Sequence, residues 1–84
     1  MSKYDKLLFQ ILRGISDANV PFNDLRHLLK DIGFEERIRG SHHMFRKAGI
    51  VENINLQREG SKAKVYQVRQ VRAIILKHNL GGEI

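Results

Sequence analysis

The sequence of 84 residues predicts an α+β domain with two layers, in which helices cover one face of a three-stranded antiparallel sheet. Three observations lead to this prediction. Apolar residues recur with helical spacing before Gly33 and again after Lys64, and the segment between them alternates as half-buried strands do. Short turns that contain glycine separate the alternating runs. A chain of this length forms one hydrophobic core, so we treat residues 1–84 as a single domain.

Two helices are expected on the N-terminal side. The first spans residues 3–15, with Ser2 as a candidate N-cap, and Pro21 prevents its continuation. The second spans about residues 23–32 and ends at Gly33, which readily adopts a positive φ. In both helices the apolar residues follow the spacing i, i+3, i+4, i+7, which buries one helix face. They are Tyr4, Leu7, Leu8, Ile11 and Ile15 in the first helix and Leu25, Leu28, Leu29 and Ile32 in the second.

A meander of three strands is expected next. The first strand covers residues 34–39, and Gly40 and Ser41 form the turn to a return strand at residues 42–47. The third strand covers residues 51–56. One face of the first strand carries Phe34, Glu36 and Ile38, and one face of the third carries Glu52, Ile54 and Leu56.

The C-terminal part is expected to contain a loop and a helix. Residues 57–64 are rich in cations and are predicted to form a basic loop. The helix runs from Val65 to about Asn79, and the pair Gly81-Gly82 ends it. Its apolar stripe consists of Val68, Val71, Ile74, Ile75 and Leu76. The cations Arg69, Arg72 and Lys77 are expected to lie away from that stripe.

The positive charge is concentrated in the second part of the chain. Residues 1–36 contain five Lys/Arg and six Asp/Glu, which gives −1, and residues 37–84 contain ten and three, which gives +7. These values add up to the net charge of +6. A basic surface of this kind attracts polyanions, and nucleic acid is the first candidate.

Composition excludes several classes of protein. Cysteine is absent, which rules out disulfides, thiolate zinc sites and a cysteine nucleophile. No apolar run is long enough to span a membrane, and we expect no signal peptide before the first helix. We therefore expect a soluble intracellular protein.

Of the four histidines, only His42 and His43 are adjacent. Side chains alternate across a strand, so the two rings are expected on opposite faces of the sheet, which argues against a shared metal site. A histidine among fixed cations suits phosphodiester chemistry, because imidazole transfers protons near neutrality and cations neutralise charge on phosphate oxygens. The flanking cations are Arg37, Arg39, Arg46 and Lys47.

Further contacts to a polyanion are expected outside this cluster. Ser41 offers a hydroxyl and an N–H group to a phosphate, and Gly40 permits close approach of the backbone. Lys62 and Lys64 in the basic loop are compatible either with a phosphate contact or with simple solvation.

Four segments resemble the HicA family of bacterial toxins. The similarity covers about residues 22–80, and the G-S-x-H pattern between two strands is its most specific part. The helix at residues 3–15 precedes the core of the family. The matching segments are Gly33-Phe34, Arg39-Gly40-Ser41-His42-His43-Met44-Phe45, Ile54-Asn55-Leu56 and the terminal helix from Val65 to Leu80.

This resemblance implies a fold like a double-stranded-RNA-binding domain, with the order α–β–β–β–α after an additional N-terminal helix. It implies an mRNA endoribonuclease, or mRNA interferase, of a type II toxin–antitoxin system that inhibits translation in the bacterial cytoplasm. No cofactor or metal is implied, and a HicB-type antitoxin is the implied protein partner. The fourth position of the motif carries the catalytic histidine, which maps to His43, with His42 as the alternative.

The leading hypothesis is therefore a toxin ribonuclease in which His43 acts as general base or general acid. Two alternatives stay open. A non-catalytic RNA-binding module of the same fold would need no histidine in this motif, and a small protein–protein adaptor would not account for the basic segment. The residues expected to bind RNA are Arg37, Arg39, Ser41, Arg46, Lys47, Lys62 and Lys64.

Overall fold

The computed structural model describes residues 4–81, which form three α-helices and five β-strands. The helices are α1 (Asp5–Leu12), α2 (Phe22–Asp31) and α3 (Val65–Lys77), and a 3₁₀ turn (Asp17–Asn19) lies between the first two. The strands are β1 (Glu35–Arg39), β2 (His42–Arg46), β3 (Ile54–Leu56), β4 (Arg58–Glu59) and β5 (Lys62–Ala63). The predicted α+β class is confirmed. Within the described residues, no helix combines the length and the apolar character needed to cross a membrane.

The first three strands form one antiparallel sheet in the order β1–β2–β3. β1 and β2 pair as the predicted hairpin, with Arg39 opposite His42 across the turn at Gly40 and Ser41. Gly40 has a φ of 58°, which a residue without a Cβ adopts easily. β3 pairs with the other edge of β2, so that β2 is the central strand.

The helices cover one face of this sheet. α2 packs against β1, α3 packs against β3, and α1 contacts both of these helices. Burial of a large apolar side chain contributes about 1.5–3 kcal/mol, so the shared core is the main source of stability. The buried side chains include Leu8, Ile11, Phe22, Leu25, Leu28, Leu29, Phe34, Phe45, Ile54, Leu56, Val68, Val71, Ile74 and Ile75.

α1 is shorter than predicted, because it ends at Leu12 and leaves Ile15 exposed. Gly14 has a φ of 69° and bonds through its N–H to the carbonyl of Ile11, which turns the chain away from the helix axis. Ile15 is therefore not part of the buried stripe. The predicted N-cap Ser2 lies outside the described residues.

The prediction of a basic loop at residues 57–64 is wrong, because this segment forms a second hairpin from β4 and β5. The hairpin bonds to the chain that leads into α2. The N–H of Phe22 donates to the carbonyl of Ser61, and the N–H of Ala63 donates to the carbonyl of Val20. These bonds satisfy backbone groups that a solvated loop would leave to water.

The third strand is also shorter than predicted, because β3 begins at Ile54 rather than at Val51. The side chain of Val51 is exposed. Glu52 turns toward α3 instead of extending the strand, and its carboxylate accepts hydrogen bonds of 2.8 Å from Lys77 and from His78. The segment before β3 is therefore held by the end of α3 and not by strand pairing.

Three side chains of the predicted pattern have different surroundings. Leu76 and Ile38 were expected in the core but are more than half exposed. Arg72 was expected to lie away from the core, yet its Nε donates to the carbonyl of Ile11 at 2.9 Å and its guanidinium binds the carboxylate of Asp17. Arg72 thus joins α3 to the end of α1 and to the 3₁₀ turn. The predicted limits of the other helices, 23–32 and Val65–Asn79, agree closely with α2 and α3.

Candidate nucleic-acid interface

The sheet has a second face, which the helices do not cover. Along β2 the side chains alternate, so that His43 and Phe45 are buried while His42, Met44 and Arg46 are exposed. Residues that pair across neighbouring strands point to the same face of a sheet. Arg37 pairs with Met44, Arg39 with His42, and Asn55 with Met44. We call this surface the open sheet face, and it consists of Arg37, Arg39, His42, Met44, Arg46 and Asn55, together with Glu35, which pairs with Arg46.

The arginines of the open sheet face form no ion pair in the described part of the chain, although Glu35 lies across from Arg46. Within residues 4–81, Arg37, Arg39 and Arg46 form no ion pair, whereas Arg26 and Arg72 are bound to carboxylates. Guanidinium groups without internal partners keep their full attraction for an external anion. The open sheet face therefore carries concentrated positive charge around an exposed histidine.

A groove of about 470 Å³ extends this surface beyond the end of β2. Arg46 and Lys47 line it together with Glu35, Asn53 and Val51. The side chain of Lys47 lies where a Cβ on Gly33 would be, and Gly33 has a φ of 107°. A glycine at this position therefore permits the close approach of a cation that the sequence predicted to bind phosphate.

His42 is the exposed member of the histidine pair, as the strand alternation predicted for one of the two rings. Its Nδ1 lies 3.4 Å from the amide nitrogen of Asn55, and its Nε2 lies 3.3 Å from the amide nitrogen of Gln57. The amide oxygen of Gln57 is in turn 3.5 Å from Nζ of Lys64. One exposed imidazole, two amides and an ammonium group thus meet at the edge of the open sheet face.

His43 lies on the opposite side of β2, and only 11% of its side chain is exposed. Its Nδ1 is 2.9 Å from the carboxylate of Glu36, and its ring packs edge-on against Phe22 at 4.9 Å. Arg26 binds the same carboxylate with bonds of 2.6 and 2.9 Å. The Arg26 guanidinium, with a smaller effect of the His43 hydrogen bond, lowers the pKa of Glu36 to about 2, although burial opposes this shift.

The structure does not bring all of the predicted RNA-binding residues together. Ser41 is exposed in the turn next to His42, and Lys64 reaches the same region through Gln57. Lys62 lies apart, since its Nζ donates to the side-chain oxygen of Asn19 at 2.9 Å.

Sequence reasoning did not single out the amides around His42. Asn55 and Gln57 are separated from His42 by 13 and 15 positions, so only the register of β2 and β3 reveals their proximity. The buried Gln67 of α3 was also missed. The one feature of the sequence that indicated burial of Gln67 was its position directly before Val68, a residue of the apolar stripe.

Imidazole and guanidinium groups in this arrangement can transfer protons and stabilise negative charge on phosphate oxygens. Within residues 4–81, no three histidine, aspartate or glutamate side chains lie close enough together to hold a metal ion. No protein-family model, curated protein or solved structure matches the chain.

Proposed function

We propose that the protein is an RNA-cleaving toxin of the HicA type that uses the open sheet face to bind its substrate. The observation that supports this proposal is the exposed His42 beside arginines that form no ion pair within residues 4–81. RNA phosphates would bind Arg37, Arg39 and Arg46, and Lys47 would extend the contact into the adjacent groove. Phosphate contacts of this type give affinity without dependence on base sequence.

The proposed reaction is attack of an RNA 2′-hydroxyl on the adjacent phosphorus. A bond forms between the 2′-oxygen and phosphorus, and the bond between phosphorus and the 5′-oxygen breaks. An imidazole accepts the proton of the 2′-hydroxyl, and a water molecule gives a proton to the departing 5′-oxygen. Arg39, which lies directly opposite His42, stabilises the additional negative charge on the phosphate.

The accessibility of the two rings favours His42 as the proton acceptor. The motif assigns this role to His43, but its ring lies on the helix side of β2 and its Nδ1 is held by Glu36. His42 presents its ring on the cationic face where RNA would bind. In this proposal His43 supports the sheet from behind, and the motif-based assignment is the alternative that the experiment distinguishes.

The fold and the partner of the proposed toxin follow from the same resemblance. We take the order α2–β1–β2–β3–α3 as an arrangement of the double-stranded-RNA-binding type, with α1 and the second hairpin as additions. An acidic HicB-type antitoxin in the bacterial cytoplasm would inhibit the toxin by covering the open sheet face. Charge complementarity would make this association fast and sensitive to salt.

The proposal is tested by RNA cleavage with purified variants in the presence of EDTA. We expect His42→Ala to lower the cleavage rate by at least about 100-fold and to leave RNA affinity largely unchanged. His27→Ala is the control, because His27 lies on α2 beside Tyr4 and not on the sheet. Loss of cleavage in a folded His43→Ala variant with full activity of His42→Ala would restore the assignment from the motif. RNA binding without cleavage by the wild type would support the non-catalytic module.

A further inference from the structure

Both ring nitrogens of His42 have a side-chain amide as neighbour. Neutral imidazole has one N–H donor and one acceptor nitrogen, so its two partners must be one acceptor and one donor. The amide nitrogens of Asn55 and Gln57 are the nearest atoms in the structure, and two donors cannot both be satisfied by such a ring. One of the two amides must therefore present its oxygen to the ring, which a half-turn of the amide allows.

Lys64 determines which amide keeps its orientation. Its ammonium group lies 3.5 Å from the oxygen of Gln57, and a cation attracts an amide oxygen and repels an amide NH₂ group. Gln57 therefore directs its NH₂ group to Nε2 of His42. It follows that Asn55 would turn its oxygen to Nδ1, in place of the amide nitrogen that lies there in the structure, and that Nδ1 would carry the proton.

The backbone that carries both amides is fixed by the buried Gln67 of α3. Its side-chain oxygen accepts a hydrogen bond of 3.2 Å from the N–H of Gln57, and its NH₂ group donates one of 3.2 Å to the carbonyl of Asn55. Only 2% of Gln67 is exposed. A single amide thus holds the chain on both sides of Leu56, on the edge of β3 that faces α3.

We propose that Asn55 and Gln57 are positioning residues that together keep His42 in the tautomer with the proton on Nδ1, and that Gln67 fixes both of them in place for this purpose. The basic nitrogen is then Nε2. Gln57 occupies the position at which a hydroxyl donor would approach Nε2, so the RNA 2′-hydroxyl replaces the NH₂ group of Gln57 when substrate binds. This last step depends on the proposed function, whereas the tautomer is a property of the free protein.

The tautomer is measured by ¹⁵N NMR of the histidine side chains at a pH where His42 is neutral. We expect the proton on Nδ1 in the wild type and in Asn55→Asp, because a carboxylate can only accept. Asn55→Ala should weaken this preference, because only Gln57 then holds the ring, and it should cleave RNA at least about tenfold more slowly. Asn55 is exposed, so these variants are expected to fold, and thermal unfolding provides the check.

A proton on Nε2 in the wild type would overturn the proposal, and so would a tautomer population that changes neither in Asn55→Ala nor in Lys64→Met. Lys64→Met provides a second test, because without the ammonium group Gln57 is free to turn and the Nδ1 preference should weaken. If the wild type shows the expected tautomer but does not cleave RNA, the positioning role stands and the proposed function fails.

Discussion

Glu36 illustrates how one buried carboxylate organises its surroundings. Its side chain is 6% exposed and is bound by Arg26 of α2 and by His43 of β2. A buried charge is tolerated only when its partners replace the lost hydration, and here the bidentate guanidinium provides most of this replacement. Glu36 thereby ties a helix to the sheet and fixes the ring of His43 behind the open sheet face.

The pKa of Glu36 predicts a loss of stability in acid. Its folded pKa of about 2 lies below the ordinary value of 4.5, and the pKa of Glu52 is also lowered to about 2, chiefly by Lys77 and then by His78. In this range the unfolded chain binds more protons than the folded one, so the free energy of unfolding falls as the pH drops from about 4.5 to about 2. Urea denaturation along a pH series measures this fall in the free energy of unfolding. Glu36→Gln should make the free energy depend less on pH, because it removes one of the two carboxylates with a lowered pKa. An equal dependence in wild type and variant would contradict the assignment to Glu36.

At the scale of elements, the sequence was sufficient to predict those features that depend on residues close together in the chain. The apolar stripe of α2, the hairpin at Gly40 and the opposite faces of His42 and His43 were predicted correctly. The second hairpin was missed because its bonds to Val20 and Phe22 join distant parts of the chain. The same distinction applies to the residues of the candidate site. Its cations are visible in the sequence, but the amides around His42 depend on strand register.

Arg72 provides a test of how α1 is attached. Arg72→Met should lower the free energy of unfolding by about 2–3 kcal/mol, because it removes the bond to the Ile11 carbonyl and leaves Asp17 without its main partner. Arg69→Met is a matched control, since Arg69 is 3.8 Å from the same carboxylate but largely exposed. We expect this control to change stability by less than about 1 kcal/mol. Equal effects of the two substitutions in urea denaturation would show that the bonds of Arg72 to Ile11 and Asp17 do not stabilise the attachment of α1.

At the scale of the whole molecule, the charges divide into two groups. Cations on the helices and their flanks are used internally, as in the pairs Arg26–Glu36, Arg72–Asp17 and Lys77–Glu52. Within the described residues, the arginines of the open sheet face have no such partner. The carboxylates of Asp17, Glu36 and Glu52 therefore stabilise the helical layer, while three unpaired arginines and the single carboxylate of Glu35 lie on the opposite side of the sheet. An asymmetric charge distribution of this kind orients a polyanion toward the exposed histidine.

The most direct test of the account is end-group analysis of a single-stranded RNA incubated with the purified protein in EDTA. We expect fragments with a 2′,3′-cyclic phosphate at one end and a 5′-hydroxyl at the other, because the 2′-hydroxyl is the proposed nucleophile. The same RNA with a 2′-deoxy nucleotide at the cleaved position should remain intact. Uncleaved RNA, or fragments with 3′-hydroxyl and 5′-phosphate ends, would contradict the proposed mechanism.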